Sequence, residues 1–305
     1  MSNLIQTRPS FSIVVPTYRR PERLAACLRG LAALDYPKTA YEILIVDDGS
    51  DPGTARQVEA SGGASGVATR YLSQAHLGPA KARNAGSRAA RGRYLAFTDD
   101  DCVPAPGWLT EMERTLETDP TAIVGGLTLN ALPHVLGSAA SQLLVDFLYE
   151  YHHVELTGAR FFTSNNVAVA ADRFLDAGGF DETFPLAAGE DRELCERWQR
   201  LGGSLRFAAG AVVHHWHHLT VRKFARQHFN YGRGAHYLHK SRSRGSAETG
   251  TAVRPKLEPL AFYARLVTYP LGRVEGWRAA PLAGMMGLSQ AAYVTGYLFQ
   301  RAQRL

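Results

Sequence analysis

The sequence predicts an α/β protein with a mostly parallel sheet flanked by helices and followed by a helical C-terminal extension. Three observations lead there. Short apolar runs alternate with helix-period segments along residues 11–98. One of those runs, Glu42-Ile43-Leu44-Ile45-Val46, is continuous rather than alternating, as in a strand buried on both faces. Three runs also end in polar or charged residues, which parallel strands gather along one edge, the edge where such sheets bind ligands.

Each element has its own signal. Phe11-Ser12-Ile13-Val14-Val15 reads as a strand stopped by Pro16. Pro21 opens a helix that places Leu24, Cys27, Leu28 and Leu31 on one face. The Glu42–Val46 strand ends in Asp47-Asp48-Gly49-Ser50, and a weaker strand at Ala68–Leu72 leads to an Ala- and Arg-rich helix opened near Pro79. The strand Tyr94–Thr98 ends at Asp99-Asp100-Asp101. Residues 138–157 read as a helix carrying Leu143, Leu144, Phe147 and Leu148, and Phe161–Ala171 as a buried strand. Glu190–Leu201 reads as a helix with Leu194, Trp198 and Leu201 on one stripe. Glu193–Arg197 and Glu196–Arg200 then pair on its outer side, and Gly202-Gly203 stops it. The Ser, Arg and Gly of 241–253 read as a linker or loop, which divides the chain into a domain over 1–240 and a basic helical region over 241–305.

Composition narrows the class. A chain of 305 residues with 45% hydrophobic content buries one large core or two smaller ones. Its three cysteines, Cys27, Cys102 and Cys195, are scattered and lack metal-ligand spacing, which fits a reducing compartment and speaks against a disulfide framework or a zinc site. No apolar stretch of the signal-peptide kind precedes Pro9, so a cytoplasmic location is expected. Charge is uneven: residues 219–305 carry a balance of +11 and the remainder −5. Without a helix-turn-helix, zinc-finger or RNP-like pattern beside it, that charge points to an anionic membrane surface rather than nucleic acid. Ala279–Phe299 is uncharged and flanked by Arg278 and Arg301, but its Gly, Ser, Gln and Pro residues suit a helix lying in the interface, or packed in a hairpin, better than a span.

The acidic triplet has the sharpest chemistry. Three adjacent carboxylates repel one another, and a hard divalent cation that shares its oxygen ligands with substrate phosphates removes the conflict. A solvated turn before Pro104 and Pro106 is the plain alternative.

Six short pieces then make a pattern: Val15-Pro16-Thr17-Tyr18-Arg19-Arg20, Val46-Asp47-Asp48-Gly49-Ser50, Ala82-Arg83-Asn84-Ala85-Gly86, Asp99–Asp101 with Trp108-Leu109 downstream, Gly178-Gly179-Phe180-Asp181, and Gly189-Glu190-Asp191-Arg192-Glu193-Leu194. In this order and spacing the chain resembles the family 2 glycosyltransferases of the GT-A (Rossmann-like) fold over residues 10–240. The resemblance implies an inverting enzyme that moves a sugar from a nucleotide diphosphate sugar, a UDP-sugar foremost, to a hydroxyl of a lipid-linked or polysaccharide acceptor. Its site would use a divalent cation, Mn or Mg. On the donor side it implies Pro16, Thr17, Tyr18 and Arg19, with Asp48 accepting from the base, Arg83 facing the base or pyrophosphate, and Asp99 on the ribose or sugar. Asp100 counts on this donor side, although its side chain is expected on the opposite face. Asp101 is implied as a metal contact, with His215, and after it His217, as histidine ligand from the run His214–His218. Asp191 matches the catalytic base, and Glu190, Trp108 and His217 fall on the acceptor side.

The long membrane spans and Gln-x-x-Arg-Trp of processive relatives are not matched: Arg197-Trp198 has Leu194 at the Gln position, which favours a single transfer. The expected place of action is the inner face of the cell membrane, peripherally bound. Two other readings stand beside this one: a sugar-phosphate nucleotidyltransferase, for which the Gly-rich triphosphate loop is lacking, and a non-catalytic nucleotide-sugar-binding scaffold.

Overall fold

In the computed structural model, which describes residues 8–153, 161–249 and 258–303, the apolar runs of 11–98 become the parallel half of an eight-stranded sheet. The strands are β1 (Phe11–Thr17), β2 (Tyr41–Asp47), β3 (Ala68–Ser73), β4 (Tyr94–Thr98), β5 (Cys102–Pro104), β6 (Ala122–Asn130), β7 (Asn166–Ala170) and β8 (Ser204–His215). Their order is β3-β2-β1-β4-β7-β6-β8-β5. β3, β2, β1 and β4 run parallel, β7 is antiparallel to β4 and β6, and β5 is antiparallel to β8.

The helices are α1 (Pro21–Ala32), α2 (Pro52–Ser65), α3 (Pro79–Ala89), α4 (Trp108–Thr118), α5 (Leu136–His153), α6 (Ala171–Asp176), α7 (Glu190–Arg200), α8 (Val221–Thr249), α9 (Leu260–Thr268) and α10 (Ala279–Ala302). The chain forms two compact units: the described residues of Met1–Leu129, Phe161–Pro185 and Leu194–His215, and those of Asn130–Arg160, Leu186–Glu193 and Trp216–Leu305.

The first unit holds the sheet, and both faces of its parallel half are covered. Ile13, Val15, Ile43 and Ile45 share a buried cluster with Leu24, Cys27, Leu28 and Leu31 of α1 and with Trp108, Leu109, Met112 and Leu116 of α4. On the other face Gly86 of α3 lies against Val14 and Val46. This two-sided burial is why β2 reads as an unbroken apolar run. Pro16 does not stop β1, which continues to Thr17. Pairing with β4 has already ended at Val14, so a residue without an N–H is tolerated beyond it.

Three further expectations are corrected here. Leu201 lies outside α7 and is 64% exposed, because the helix ends at Arg200 and only Leu194 and Trp198 of the stripe are buried. Glu193 is buried rather than outward-facing, and Arg197 donates to the carbonyls of Ala177 and Gly179. The stretch at 241–249 is helical, as the continuation of α8, and not a loop. Its Arg, Ala and Glu residues are good helix formers, its Ser and Thr intermediate ones, and Gly245 alone among 241–249 costs about 1 kcal/mol. The remaining residues of that stretch, 250–253, lie outside the described residues, as do 154–157 of the expected helix at 138–157.

The second unit is helical. Leu144 and Phe147 of α5, Phe224 of α8, Phe262 and Leu266 of α9, and Leu282, Met285 and Met286 of α10 form its core. Helices α8 and α10 approach backbone to backbone: a Cβ on Gly232 would lie 1.9 Å from the Tyr293 carbonyl oxygen, and one on Gly296 1.9 Å from that of Phe229. Among the described residues no helix is long and apolar enough to cross a membrane.

His228 is part of this interior, its ring 4.2 Å from that of Phe224 and its Nε2 without a hydrogen-bond partner. Burial pushes its pKa down to about 4. The unfolded chain, with an ordinary histidine, therefore binds the proton first as pH falls. Stability should be lost progressively between roughly pH 6.5 and pH 4, by up to about 3 kcal/mol from this group. His228→Phe is expected to lose less stability than the parent over that window, read as the difference in melting temperature at pH 7 and pH 4.5.

Candidate active site

The C-terminal edge of the parallel strands gathers the polar residues, and two ladders fix their positions. β1 and β2 end in register at Thr17 and Asp47, next to the end of β4 that carries the acidic triplet. The short β5–β8 ladder sets His215 opposite Cys102. That register brings His215 Nε2 to 3.2 Å from Asp101 Oδ1, with Arg23 3.0 Å from the other carboxylate oxygen. Of the expected site residues, Asp101 and His215 are thus brought together although 113 positions separate them.

The triplet is divided among different partners. Asp99 accepts from Arg83 at 2.7 Å, Asp100 from Thr17 Oγ1 at 2.7 Å and Arg20 at 3.3 Å, and Asp101 from Arg23. Asp100 does not turn to the opposite face: Arg20 Nη1 lies 3.3 Å from Asp100 and 3.8 Å from Asp101, so one guanidinium faces both. Burial, and then the Asp101 charge, raise the Asp100 pKa to about 6 against the pull of Arg20 and Thr17. Burial lowers that of His215, but the hydrogen bond and charge of Asp101 outweigh it and the net shift is upward. Three carboxylates thus meet three guanidinium groups and an imidazole, and it is chiefly burial that holds the Asp100 proton.

Asp101, Cys102 and His215 offer ligand atoms within 4.8 Å of one another. Burial, and then the charges of Asp101 and Asp99, push the Cys102 thiol up, and its soft sulfur suits a hard, phosphate-sharing cation less well than the other two donors do. A carboxylate oxygen with one neutral imidazole nitrogen remains. That donor set, among clustered carboxylates, fits a divalent ion such as Mn²⁺, and less closely the all-oxygen taste of Mg²⁺.

At the β2 end, Asp48 is buried and its carboxylate is fully engaged. It accepts from Gln74 Nε2 at 2.7 Å and from the backbone N–H groups of Leu77 and Gly78 at 2.8 and 2.9 Å, and it lies 3.0 Å from His76 Nδ1. Four contacts use the acceptor capacity of one carboxylate. Tyr18 stacks on His76, Arg19 lies 5.3 Å from the centre of the Tyr18 ring, and Pro16 is half-buried beside them in sequence.

The acceptor-side set falls in both units. Trp108 is fully buried at the start of α4, and its Nε1 donates to Asn166 Oδ1 at 2.8 Å. It touches core rather than acceptor, which corrects the expectation for it: a ring with no exposed surface cannot meet a soluble sugar. Glu190 and Asp191 open α7 in the second unit, Glu190 buried and Asp191 accepting from the Arg192 backbone N–H at 2.7 Å. His217, also in that unit, accepts at its carbonyl from Ser138 Oγ at 2.5 Å.

Sequence reading missed the loop Gln74–Gly78 and the roles of Arg20 and Arg23. The signal was present. Gln74-Ala75-His76-Leu77-Gly78 follows β3, the fourth parallel strand, whose end falls on the same edge as the other three.

The C-terminal edge of the parallel strands is where α/β sheets of this kind bind ligands, and the carboxylate–imidazole pair sits on that edge. A family profile, Glycosyl transferase family 2, matches residues 12–165, and the chain belongs to that family. It is similar to glycosyltransferase AglE of Haloferax volcanii, 28% identical over 212 residues that cover 70% of this chain and 68% of that protein. It is also similar to chondroitin synthase of Escherichia coli, 31% identical over 67% of this chain, which spans about a third (34%) of that longer protein. In fold it matches the mannosyltransferase PcManGT from Pyrobaculum calidifontis, solved in complex with GDP-Man and Mn²⁺, with a TM-score of 0.67 at 18% identity over 98% of this chain and 89% of that one. The fold is thus the GT-A type expected from the motifs.

Replacing Trp108 by Phe keeps most of the buried ring but leaves Asn166 Oδ1 without its indole donor. Loss of about 1–3 kcal/mol of stability is expected, with KM for the acceptor unchanged, measured by denaturant unfolding and steady-state kinetics.

Proposed function

We propose that the protein is an inverting glycosyltransferase that moves a sugar from a nucleotide diphosphate sugar, UDP-sugar foremost, to a hydroxyl of a lipid-linked or polysaccharide acceptor. The observation that carries this reading is the Asp101–His215 pair at 3.2 Å on the edge that also bears Asp48, Asp99 and Arg83. Asp101 and His215 would hold the divalent cation, which when bound supplies positive charge to the donor's diphosphate and stabilises its departure. Arg20 and Arg23, both partly exposed, supply further positive charge at the same carboxylates. Arg83 and Asp99 form the donor-side ion pair, with Tyr18 and Asp48 on the base side. Asp191 serves as the base that takes the acceptor's proton, a role worth about 10²–10⁴-fold in rate. Its place in the first turn of α7 suits a carboxylate, since helix N-termini favour negative charge. The similarity to chondroitin synthase, whose name gives a polysaccharide product, supports the acceptor class.

The helical unit is proposed to bind the inner face of the cell membrane peripherally. Trp277 and Leu271 are 83% and 58% exposed, between α9 and α10, and Val294 and Leu298 stand out from α10 at helical spacing. With the +11 balance of residues 219–305, these apolar groups fit an anionic bilayer.

Asp191→Asn should reduce transfer at least about 10²-fold while nucleotide affinity holds, and Asp101→Asn should abolish the Mn²⁺ dependence of nucleotide binding. A donor panel assayed with and without Mn²⁺ reads both. Full turnover by Asp191→Asn would defeat the assignment of the base, and no turnover with any donor would favour a scaffold.

Sedimentation with vesicles containing anionic phospholipid should fall severalfold in the double variant Trp277→Ser, Leu271→Ser, and should weaken for the parent at high salt. Equal sedimentation with neutral vesicles would exclude the electrostatic part.

A further inference from the structure

One ring closes the loop Gln74–Gly78 onto the base side of the site. His76 Nδ1 lies 3.0 Å from Asp48 Oδ2 and 3.1 Å from the Asp48 carbonyl oxygen. Both neighbours only accept, so the nitrogen between them carries the proton. The same imidazole is stacked on Tyr18, with ring centroids 4.0 Å apart and planes inclined by 19°. Tyr18 in turn lies on the backbone of Gly49, where a Cβ would come within 2.7 Å of the phenol ring.

A flat heteroaromatic ring, stacked on a tyrosine and handing a ring N–H to a buried carboxylate, makes the contacts that a nucleobase would make. Yet the ring belongs to the protein, and its side chain is 60% exposed, so it can swing out without leaving a cavity. We propose that His76 is a built-in competitor for the donor's base: it occupies the base's place on Tyr18 and Asp48, and the nucleotide binds by displacing it. This rests on the donor-side roles given to Tyr18 and Asp48 above.

Two consequences follow from the chemistry. Apparent affinity is reduced by the fraction of molecules in which the ring is out. The site also selects bases by what they must replace. Uracil, thymine and guanine carry a ring N–H on the pairing edge and can take over the Nδ1–H contact. The corresponding ring nitrogens of cytosine and adenine are acceptors and would face carboxylate lone pairs. The discrimination therefore lies in Asp48, which every base meets once the ring is out, while His76 sets the common cost of entry.

The test is calorimetric titration of the full chain with UDP, GDP and CDP, each with Mn²⁺, for the parent, H76A and Y18A. H76A should bind UDP or GDP about threefold to tenfold tighter, the scale of one aromatic stack, while Y18A binds more weakly. CDP has to displace the same ring, so it should tighten by a similar factor in H76A and the preference over CDP, which Asp48 sets, should stay the same. Equal or weaker binding by H76A, with nucleotide binding otherwise intact, overturns the proposal alone. Absence of binding by every variant overturns the donor reading and the proposal with it. Side-chain ¹H–¹⁵N spectra give a second readout: on saturation with the bound nucleotide the His76 ring should lose its hydrogen-bonded Nδ1 signal, and retention of that signal would also overturn the idea.

Discussion

The physical constraint on which the site depends is the concentration of negative charge that β4 delivers to its own tip. Three carboxylates in succession, two of them buried, cannot all be satisfied by one kind of partner. The fold answers by spreading them: Arg83 from α3 takes Asp99, Thr17 from β1 takes Asp100, and Arg23 from α1 with His215 from β8 take Asp101. Four separate elements are thereby tied to one strand end. The raised pKa of Asp100 reflects first its burial and then the neighbouring Asp101, and carboxylates clustered in this way recommend the place to a cation.

The geometry behind this is carried by strands that contribute little apolar area. β5 has three residues, and its value lies in register: Cys102 pairs with His215, so the histidine is set beside Asp101 by backbone ladder bonds rather than by side-chain packing. A site built on sheet register is stiff, since a slip of one residue would turn His215 to the other face. Trp108 works in the same sense from below. Its indole N–H fixes Asn166, whose amide donates in turn to the carbonyls of Leu127 and Ala211, joining α4, β6, β7 and β8.

What could be read in the sequence follows from where the signals are local. The parallel strands β1 to β4 and helices α1 and α3 announce themselves by apolar runs, period and proline, and their bounds fall within one or two residues of the observed ones. β5 and β8 do not. β5 is too short to show a pattern, and β8 is pleated through Ala and Gly with its buried positions unevenly spaced. For this reason His215 could be named only by resemblance, amid four histidines in five positions, while the β5–β8 register singles it out. Trp108 failed for the converse reason: an aromatic near a motif looks functional until its burial is known. The linker at 241–253 failed because composition alone does not register that α8 runs on through 241–249.

Asp48 shows how a motif residue can serve twice. Read as a lone carboxylate at a strand end, it is simply an acceptor waiting for a donor base. In the folded chain it is already the organiser of the next loop, holding two backbone N–H groups, an amide and an imidazole. The two backbone donors have no other partner to turn to and pin Leu77 and Gly78 at the start of α3, the helix that carries Arg83. The amide and the imidazole are side chains on rotatable bonds and can be exchanged for the groups of a ligand at little cost to the fold. A carboxylate so divided keeps its loop in place while its other contacts change, and α3, with Arg83 on it, stays where the phosphate chemistry would need it.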